Sequence, residues 1–292
     1  MNSPIELAEK HGLHLAEVLH FNEMGIDFRV AIAKDLKGEK WVLRMPRRAD
    51  LGRQIVEEKR ILDTVRPFLS AEVPLWERAN DELIAYKLLE GEPALTFDAE
   101  TYDVHWNMPQ DSPFYAPTLA KVLVELHNIP IETALENQLK ILDCEASRQE
   151  IHDRLSTVKS GLGMREDLFT RYSKWLDNDK LWPNFTRLVH GDLYAGHVLT
   201  DRDGRVTGII DWTTAQVNDI AIDFSGHVQV FGEAGLKELI EEYSRQGGFT
   251  PPYLYEQAVE RSAAAPLAYG YFALSTGDEQ HIQGARAQLG VS

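Results

Sequence analysis

One stretch, about two-thirds of the way along the chain, concentrates the residues that could do chemistry. It reads His190-Gly191-Asp192-Leu193-Tyr194-Ala195-Gly196-His197-Val198-Leu199, then Thr200-Asp201-Arg202-Asp203-Gly204-Arg205, then Val206-Thr207-Gly208-Ile209-Ile210-Asp211-Trp212. The middle segment has hairpin-turn chemistry, with Asp203-Gly204 at its tip. A hairpin there sets His197, at the start of one strand, near Asp211, at the end of the other. Asp192, in the preceding loop, falls beside both. Two carboxylates and an imidazole converging in this way suit a site that handles a divalent cation and a proton. Phosphoryl transfer needs those parts: a carboxylate to orient and deprotonate the attacking hydroxyl, and ligands for a metal that holds the phosphates. Singly, each residue fits an acidic hairpin with solvated turns and a core-packed His190. The joint pattern, following an apolar strand and flanking a hairpin, points to chemistry.

Such residues need elements to hold them. The first ninety or so residues read as strand-rich: a short helix from Pro4 to His11, strands over Leu15–Phe21, Phe28–Ala33 and Trp41–Met45, and turn chemistry at Asn22–Gly25 and Asp35–Lys40. Asp50 is placed to N-cap a helix that buries Ile55, Ile61, Leu62 and Val65 and ends before Pro67. Val73–Arg78 and Leu83–Leu89 read as a hairpin around Asn80-Asp81. Glu90-Gly91-Glu92-Pro93 reads as a linker-like break, after which helical periodicity takes over. Leu119, Val122, Leu123 and Leu126 share one face of a helix ending near His127. Further helices are expected over 145–160, 165–177, 233–246 and 254–275, with one compact β patch from Leu188 to Trp212. The expected fold class is α+β, with residues 1–90 as one lobe, built on a small antiparallel sheet, and residues 91–292 as a larger, mainly helical one.

Composition narrows the function classes. A chain of 292 residues is long enough for about two domains at ~150 residues each. Thirty Lys and Arg against 46 Asp and Glu give a formal net charge of −16. That argues against a nucleic-acid partner, which needs a basic footprint, and against adhesion to anionic lipid. It permits a cationic ligand, drawn to an acidic cleft. The single cysteine, Cys144, excludes an internal disulfide and a multi-cysteine zinc site. No signal peptide is visible at Met1–Glu6 and no apolar run reaches ~18 residues, so a cytoplasmic protein is expected, with a monomer as the starting expectation. The P-loop, H-E-x-x-H and G-x-S-x-G motifs are absent.

The loop resembles the H-x-D-x-x-x-x-N catalytic loop of protein kinases, with His197 where asparagine stands and Asp211-Trp212-Thr213 in place of D-F-G. The His-Gly-Asp opening and the Ile210-Asp211-Trp212 ending look more like the aminoglycoside and macrolide phosphotransferases. Asp192 to Leu199, Trp41-Val42-Leu43-Arg44-Met45-Pro46-Arg47-Arg48 and the segment from Phe231 to Leu236 closely match the macrolide 2′-phosphotransferases, in collinear order over nearly the whole chain. The resemblance implies a protein kinase-like bilobal fold and a set of roles. Asp192 is the catalytic base, and His197 and Asp211 bind the metal. Arg44 stands where the kinase lysine meets the nucleotide phosphates, and Glu58 is the carboxylate that fixes it. Gly25 belongs to a shortened nucleotide loop between the first two strands. Leu88 and Leu89 lie at the hinge, whose backbone reads the purine. The donor is GTP, with ATP possible. Magnesium is the implied cation, but imidazole suits softer metals, so manganese should substitute.

The implied acceptor is a macrolide, a wide apolar lactone carrying a protonated dimethylamino sugar whose 2′-hydroxyl reacts; the biological outcome is macrolide resistance. Tyr194, Phe231, Tyr269 and Phe272 could supply apolar contact and Asp219 a carboxylate near the amine, although aromatics at helical spacing also suit a core. Asp223 is read as a brace for the catalytic loop. Two other functions stay open: a kinase for an aminoglycoside or another amino-bearing alcohol, and a non-catalytic nucleotide-binding module.

Overall fold

The computed structural model describes residues 3–23, 25, 27–98 and 103–291. In chain order it contains α1 (Pro4–Lys10), β1 (Leu15–Asn22), β2 (Phe28–Asp35), β3 (Lys40–Pro46), α2 (Gly52–Val65), β4 (Arg78–Ala79), β5 (Ile84–Lys87), β6 (Glu92–Pro93), β7 (Leu95–Phe97), β8 (Val104–Trp106) and α3 (Tyr115–His127). It continues with α4 (Ile131–Glu136), α5 (Cys144–Leu162), α6 (Glu166–Leu176), β9 (Arg187–Val189), β10 (Val198–Thr200), β11 (Val206–Ile209) and β12 (Gln216–Asn218). Four helices close the chain: α7 (Ala221–Arg245), α8 (Leu254–Ala263), α9 (Ala265–Thr276) and α10 (Glu279–Gln288). Two compact units form, interleaved in sequence. One comprises Met1–Glu125, Leu135–Leu139 and Ala195–Thr214; the other comprises Leu126–Ala134, Lys140–Tyr194 and Ala215–Ser292.

The first unit is built on an antiparallel sheet of order β1-β2-β3-β5-β4. Side chains alternate across a strand, so Trp41, Leu43 and Met45 of β3 share a face. They pack with Ala31, Ala33, Leu83 and Ala85 beneath Ala8 of α1. Arg44 is thereby directed to the opposite face, where α2 supplies Glu58. The start of α2 differs from expectation. Asp50 caps nothing, because a 3-10 turn over Ala49–Leu51 precedes the helix and the Asp50 carboxylate goes to Arg48 instead. Of the expected strand at Val73–Arg78 only its last residue, Arg78, is in a strand, β4. The break at 90–93 is also no linker: Glu92 and Pro93 pair with Thr200 and Leu199 as the edge of a sheet of order β11-β10-β6. Proline is tolerated on an edge. Gly91 is required there, because a Cβ would come within 2.4 Å of Thr207 Oγ1 with the backbone at φ +91.

The second unit is mainly helical. Leu155, Val158, Tyr172, Trp175, Leu267, Ala273, Ala285 and Leu289 form its core where α5, α6, α9 and α10 meet. The expected helix over 254–275 is two helices, since Pro266 lacks the N–H that would continue the first and instead opens the second. The helix expected over 233–246 begins earlier, at Ala221, and is interrupted at Gly232 (φ 68, ψ −172). The β patch expected from Leu188 to Trp212 is likewise divided: β9 pairs with β12 in this unit, and β10 pairs with β11 in the other. The short elements β7, β8, α4 and α10 were not expected, being too short or too polar to show a period. No helix among the described residues is long and apolar enough to cross a membrane.

Candidate functional site

The β10–β11 hairpin forms with Val198 opposite Ile209. Its tip is held by the Asp201 carboxylate, which accepts from the amides of Asp203 and Arg205 at 2.9 and 2.8 Å. At its open end the Ile210 amide donates to the His197 carbonyl at 3.0 Å. The same register brings His197 Nε2 to 3.5 Å from Asp211 Oδ2. Asp211 adopts φ +63, rare for a residue with a side chain. Trp212 next to it is fully buried and donates from Nε1 to the Ile209 carbonyl at 3.0 Å, anchoring the strand end. The Asp211 carboxylate stays about half exposed, at 49%.

On β3, Arg44 donates from two nitrogens to the two oxygens of Glu58, at 2.6 and 3.1 Å. The guanidinium lies over the rings of Phe28 and Trp76, 4.4 and 5.4 Å from their centroids. Glu58 is 2% exposed and Arg44 13%. Burial alone would favour loss of the Arg44 proton; the charge and hydrogen bonds of Glu58, aided by Asp211, outweigh it and hold the pKa above its usual value. Burial also pushes the Tyr86 hydroxyl up to about 12, so it stays neutral. Glu57, the adjacent carboxylate, pairs with Arg53 on the exposed side of α2, so the register presents Glu58 alone to Arg44. Thr213 Oγ1 lies 3.1 Å from Glu58 Oε2 and 3.1 Å from Asp211 Oδ1.

Gly25 lies where a Cβ would meet the Phe28 carbonyl oxygen at 2.5 Å, so this turn is closed to larger residues. Its carbonyl accepts from Arg47 Nε at 2.9 Å; Met24 and Ile26 beside it lie outside the described residues. Leu88 is exposed and Leu89 half-buried. The Leu88 amide donates to the Lys40 carbonyl at 2.9 Å, which extends the β3–β5 pairing and withdraws that N–H from the hinge role expected of it.

In the second unit, His190 is fully buried and its Nδ1 accepts from the Asp192 amide at 3.3 Å. Asp192 itself is exposed. Asp223, at the start of α7, accepts from the amides of His190 and Gly191 at 2.9 and 2.8 Å, the bracing role expected of it. His127 Nε2 also reaches Asp223, at 3.1 Å, while His127 Nδ1 meets the Tyr243 hydroxyl at 2.9 Å. His127 therefore joins the two arms of α7 on either side of Gly232. Sequence reading missed His127 and Tyr243, because a histidine and a tyrosine on helices read as ordinary core residues.

Asp219 requires a correction. Expected near the acceptor amine, it is 1% exposed and its Oδ2 accepts from Arg261 at 2.8 Å and Gln257 at 2.9 Å, while Oδ1 accepts from the Ala221 amide at 3.0 Å. A buried carboxylate with that many donors anchors α8 to the start of α7 and offers nothing to a ligand. Tyr194 borders the first arm of α7, where a Cβ on Gly226 would touch Tyr194 Cβ at 2.9 Å, and Phe231 ends that arm, stacked on His227 with centroids 4.4 Å apart. Tyr269 and Phe272 lie elsewhere, on α9 against His281 of α10.

Burial lowers the pKa of His227 to about 4, opposed only in part by a hydrogen bond to the Gly235 backbone. An unfolded histidine binds its proton near 6.5, so between these values the unfolded chain holds more protons. The contribution of His227 to stability is thus complete above about pH 6.5 and falls by about 3 kcal/mol in total toward pH 4. Melting His227→Phe beside the parent at about pH 7.5 and about pH 5 should show a smaller acid-induced drop in the variant. Equal drops would mean that His227 is not buried neutral.

His197 and Asp211 offer one nitrogen and one oxygen to a cation, with the carboxylate open to solvent. Among the described residues, no group of three or more His, Cys, Asp or Glu side chains gathers to hold a metal. This donor set fits a cation whose remaining positions are filled by substrate phosphates and water.

The family profile described as "Phosphotransferase enzyme family" matches residues 18–257. The uncharacterized protein YcbJ of Bacillus subtilis (strain 168) is 40% identical over 291 residues, spanning 99% of this chain and 95% of its own length. Among solved structures, a macrolide 2′-phosphotransferase type I is 40% identical with a TM-score of 0.92, over 99% of this chain and 95% of that one. The apoenzyme of the macrolide 2′-phosphotransferase MphH from Brachybacterium faecium is 37% identical with a TM-score of 0.89, over 98% and 97%. A GDP complex of aminoglycoside 2′-phosphotransferase-IIIa, 18% identical, shares the fold with a TM-score of 0.78 over 98% and 95%. The expected kinase-like α+β fold, with an antiparallel sheet in the N-terminal region and a helical C-terminal part, is the one observed.

Proposed function

The chain belongs to the phosphotransferase enzyme family, and from that premise we propose that it is a macrolide kinase. It would transfer the γ-phosphate of GTP to the 2′-hydroxyl of the macrolide's amino sugar and so confer macrolide resistance. The observation that carries this reading is the near-full-length match, at 40% identity, to a macrolide 2′-phosphotransferase type I. GTP as donor rests on the family resemblance. In this reading residues 1–90 form the nucleotide-binding lobe and residues 91–292 the catalytic and substrate lobe, and the enzyme works as a cytoplasmic monomer on small molecules alone.

Asp192 takes the proton of the 2′-hydroxyl as that oxygen attacks the γ-phosphorus. The bond to the β–γ bridging oxygen breaks, and GDP leaves. The loop amides fixed on Asp223 hold Asp192 in place, so the catalytic gain is largely positioning. Arg44 uses two of its five N–H donors on Glu58 and has others for phosphate oxygens. A cation on His197 and Asp211, when bound, neutralises charge on the transferring phosphoryl group. Gly25 leaves room for the nucleotide at the first turn, and Leu88 and Leu89 border the base. Tyr194 and Phe231 are the apolar contacts we assign to the acceptor.

The deciding experiment is a phosphate-transfer assay of GTP and ATP against erythromycin, a 16-membered macrolide and kanamycin. Transfer from GTP to the macrolides is the expected result. Transfer to kanamycin alone would replace this reading with an aminoglycoside kinase, and no transfer to any acceptor would favour a non-catalytic module. Because imidazole prefers softer metals than magnesium, manganese should support turnover at least as well. Strict dependence on magnesium, with manganese inert, would argue against His197 as a direct ligand.

A further inference from the structure

Glu58 and Asp211 serve different purposes in the reading above, one orienting a phosphate-binding guanidinium and the other holding a cation. One hydroxyl lies between them. Thr213 Oγ1 is 3.1 Å from an oxygen of each. A hydroxyl has a single proton and can donate to only one acceptor at a time. Neither carboxylate can donate in return when ionised. The Thr213 proton is therefore contested by two anions belonging to two parts of one site.

The contest is unequal. Glu58 is buried and already receives two donors from Arg44. Asp211 is half exposed, sits on a left-handed backbone, and faces His197 at 3.5 Å. A hydrogen bond from a residue two positions on can hold its carboxylate in one rotamer. Any positive charge brought to Asp211 weakens that carboxylate's hold on the proton and leaves the hydroxyl for Glu58. We propose that Thr213 is a positioning residue that couples the Asp211 carboxylate to the Arg44–Glu58 pair, so that cation binding and phosphate binding reinforce each other. The inference rests on the assignment of Asp211 to the cation and Arg44 to the phosphates.

The test is the affinity of a fluorescent GDP analogue, titrated with manganese or magnesium present and again in EDTA. In the parent protein the ratio of the two affinities measures what the cation contributes. Thr213→Val keeps the shape and removes the hydroxyl; it should cut that ratio by about tenfold, the scale of one hydrogen bond to a charged group. Affinity in EDTA should stay within about twofold, and Thr213→Ser should restore the ratio. If Thr213→Val does not fold, Thr213→Ala serves in its place. An unchanged ratio, or an equal loss with and without cation, overturns the coupling. Asp211→Asn distinguishes the two levels of failure. If it keeps the parent ratio, Asp211 is not the cation ligand and the underlying reading falls. If it loses the ratio while the Thr213 variants keep it, only the coupling falls.

Discussion

Asp192→Asn lowers turnover by about 10²–10⁴-fold, the range expected for loss of a general base, while GDP affinity stays within about twofold. The substitution removes a proton acceptor and keeps the size of the side chain. The loop that carries Asp192 is fixed through backbone groups: the amides of His190 and Gly191 donate to Asp223, and the Asp192 amide meets His190. These bonds run from backbone amides to the Asp223 carboxylate and the His190 ring, and Asp192→Asn keeps all of them; a melting curve of the variant checks that it is folded. A steady-state assay with the accepted macrolide, alongside a nucleotide titration, separates the chemical defect from a binding one. Residual turnover within about tenfold of the parent would remove Asp192 from the role of base.

Glu58→Ala destabilises the protein by about 3–5 kcal/mol, the cost of leaving one half of a buried ion pair without its partner. Arg44 cannot escape by deprotonating, since guanidinium stays charged, and it is enclosed by Phe28 and Trp76. Urea denaturation reads the loss directly. The double variant Arg44→Met with Glu58→Leu should recover most of it, because an apolar pair of similar volume removes both charges, and a thioether packs well against aromatic rings. The same double variant should bind nucleotide poorly. A fall below about 1 kcal/mol for Glu58→Ala would mean that the pair is solvated, as exposed pairs are.

The sequence made the chemistry easier to read than the scaffold. The hairpin that joins His197 to Asp211 was legible because turn chemistry at Asp203-Gly204 and two apolar runs fix its register locally. Arg44 and Glu58 were legible only through family resemblance, since strand alternation and helix register do not choose between Glu57 and Glu58. Asp219 was misjudged because a carboxylate shortly after Asp211 looks available in sequence, whereas its partner Arg261 comes 42 residues later. The strand at Glu92–Pro93 was hidden for a similar reason. Two residues with a proline carry no period, and the strand exists only because β10 arrives to pair with it. His127 and Tyr243 gave no signal at all: their value comes from meeting Asp223 in space.

That late pairing bears on how the protein is made. Val198, the first residue of β10, follows Pro93 by roughly a hundred residues, which a ribosome takes roughly 5–20 s to add. Through that interval the nascent sheet unit lacks β10 and β11, the edge at Glu92–Pro93 has no neighbour, and Glu58 has Arg44 but not Thr213. Hydrophobic groups that the hairpin later covers stay open to chaperones or to other chains. A fragment ending near residue 90 would reproduce this unfinished state permanently, because the first unit also draws on residues 91–125, 135–139 and 195–214. The last part of the first unit to be synthesised is the part that carries His197 and Asp211, and an interrupted chain therefore lacks that pair.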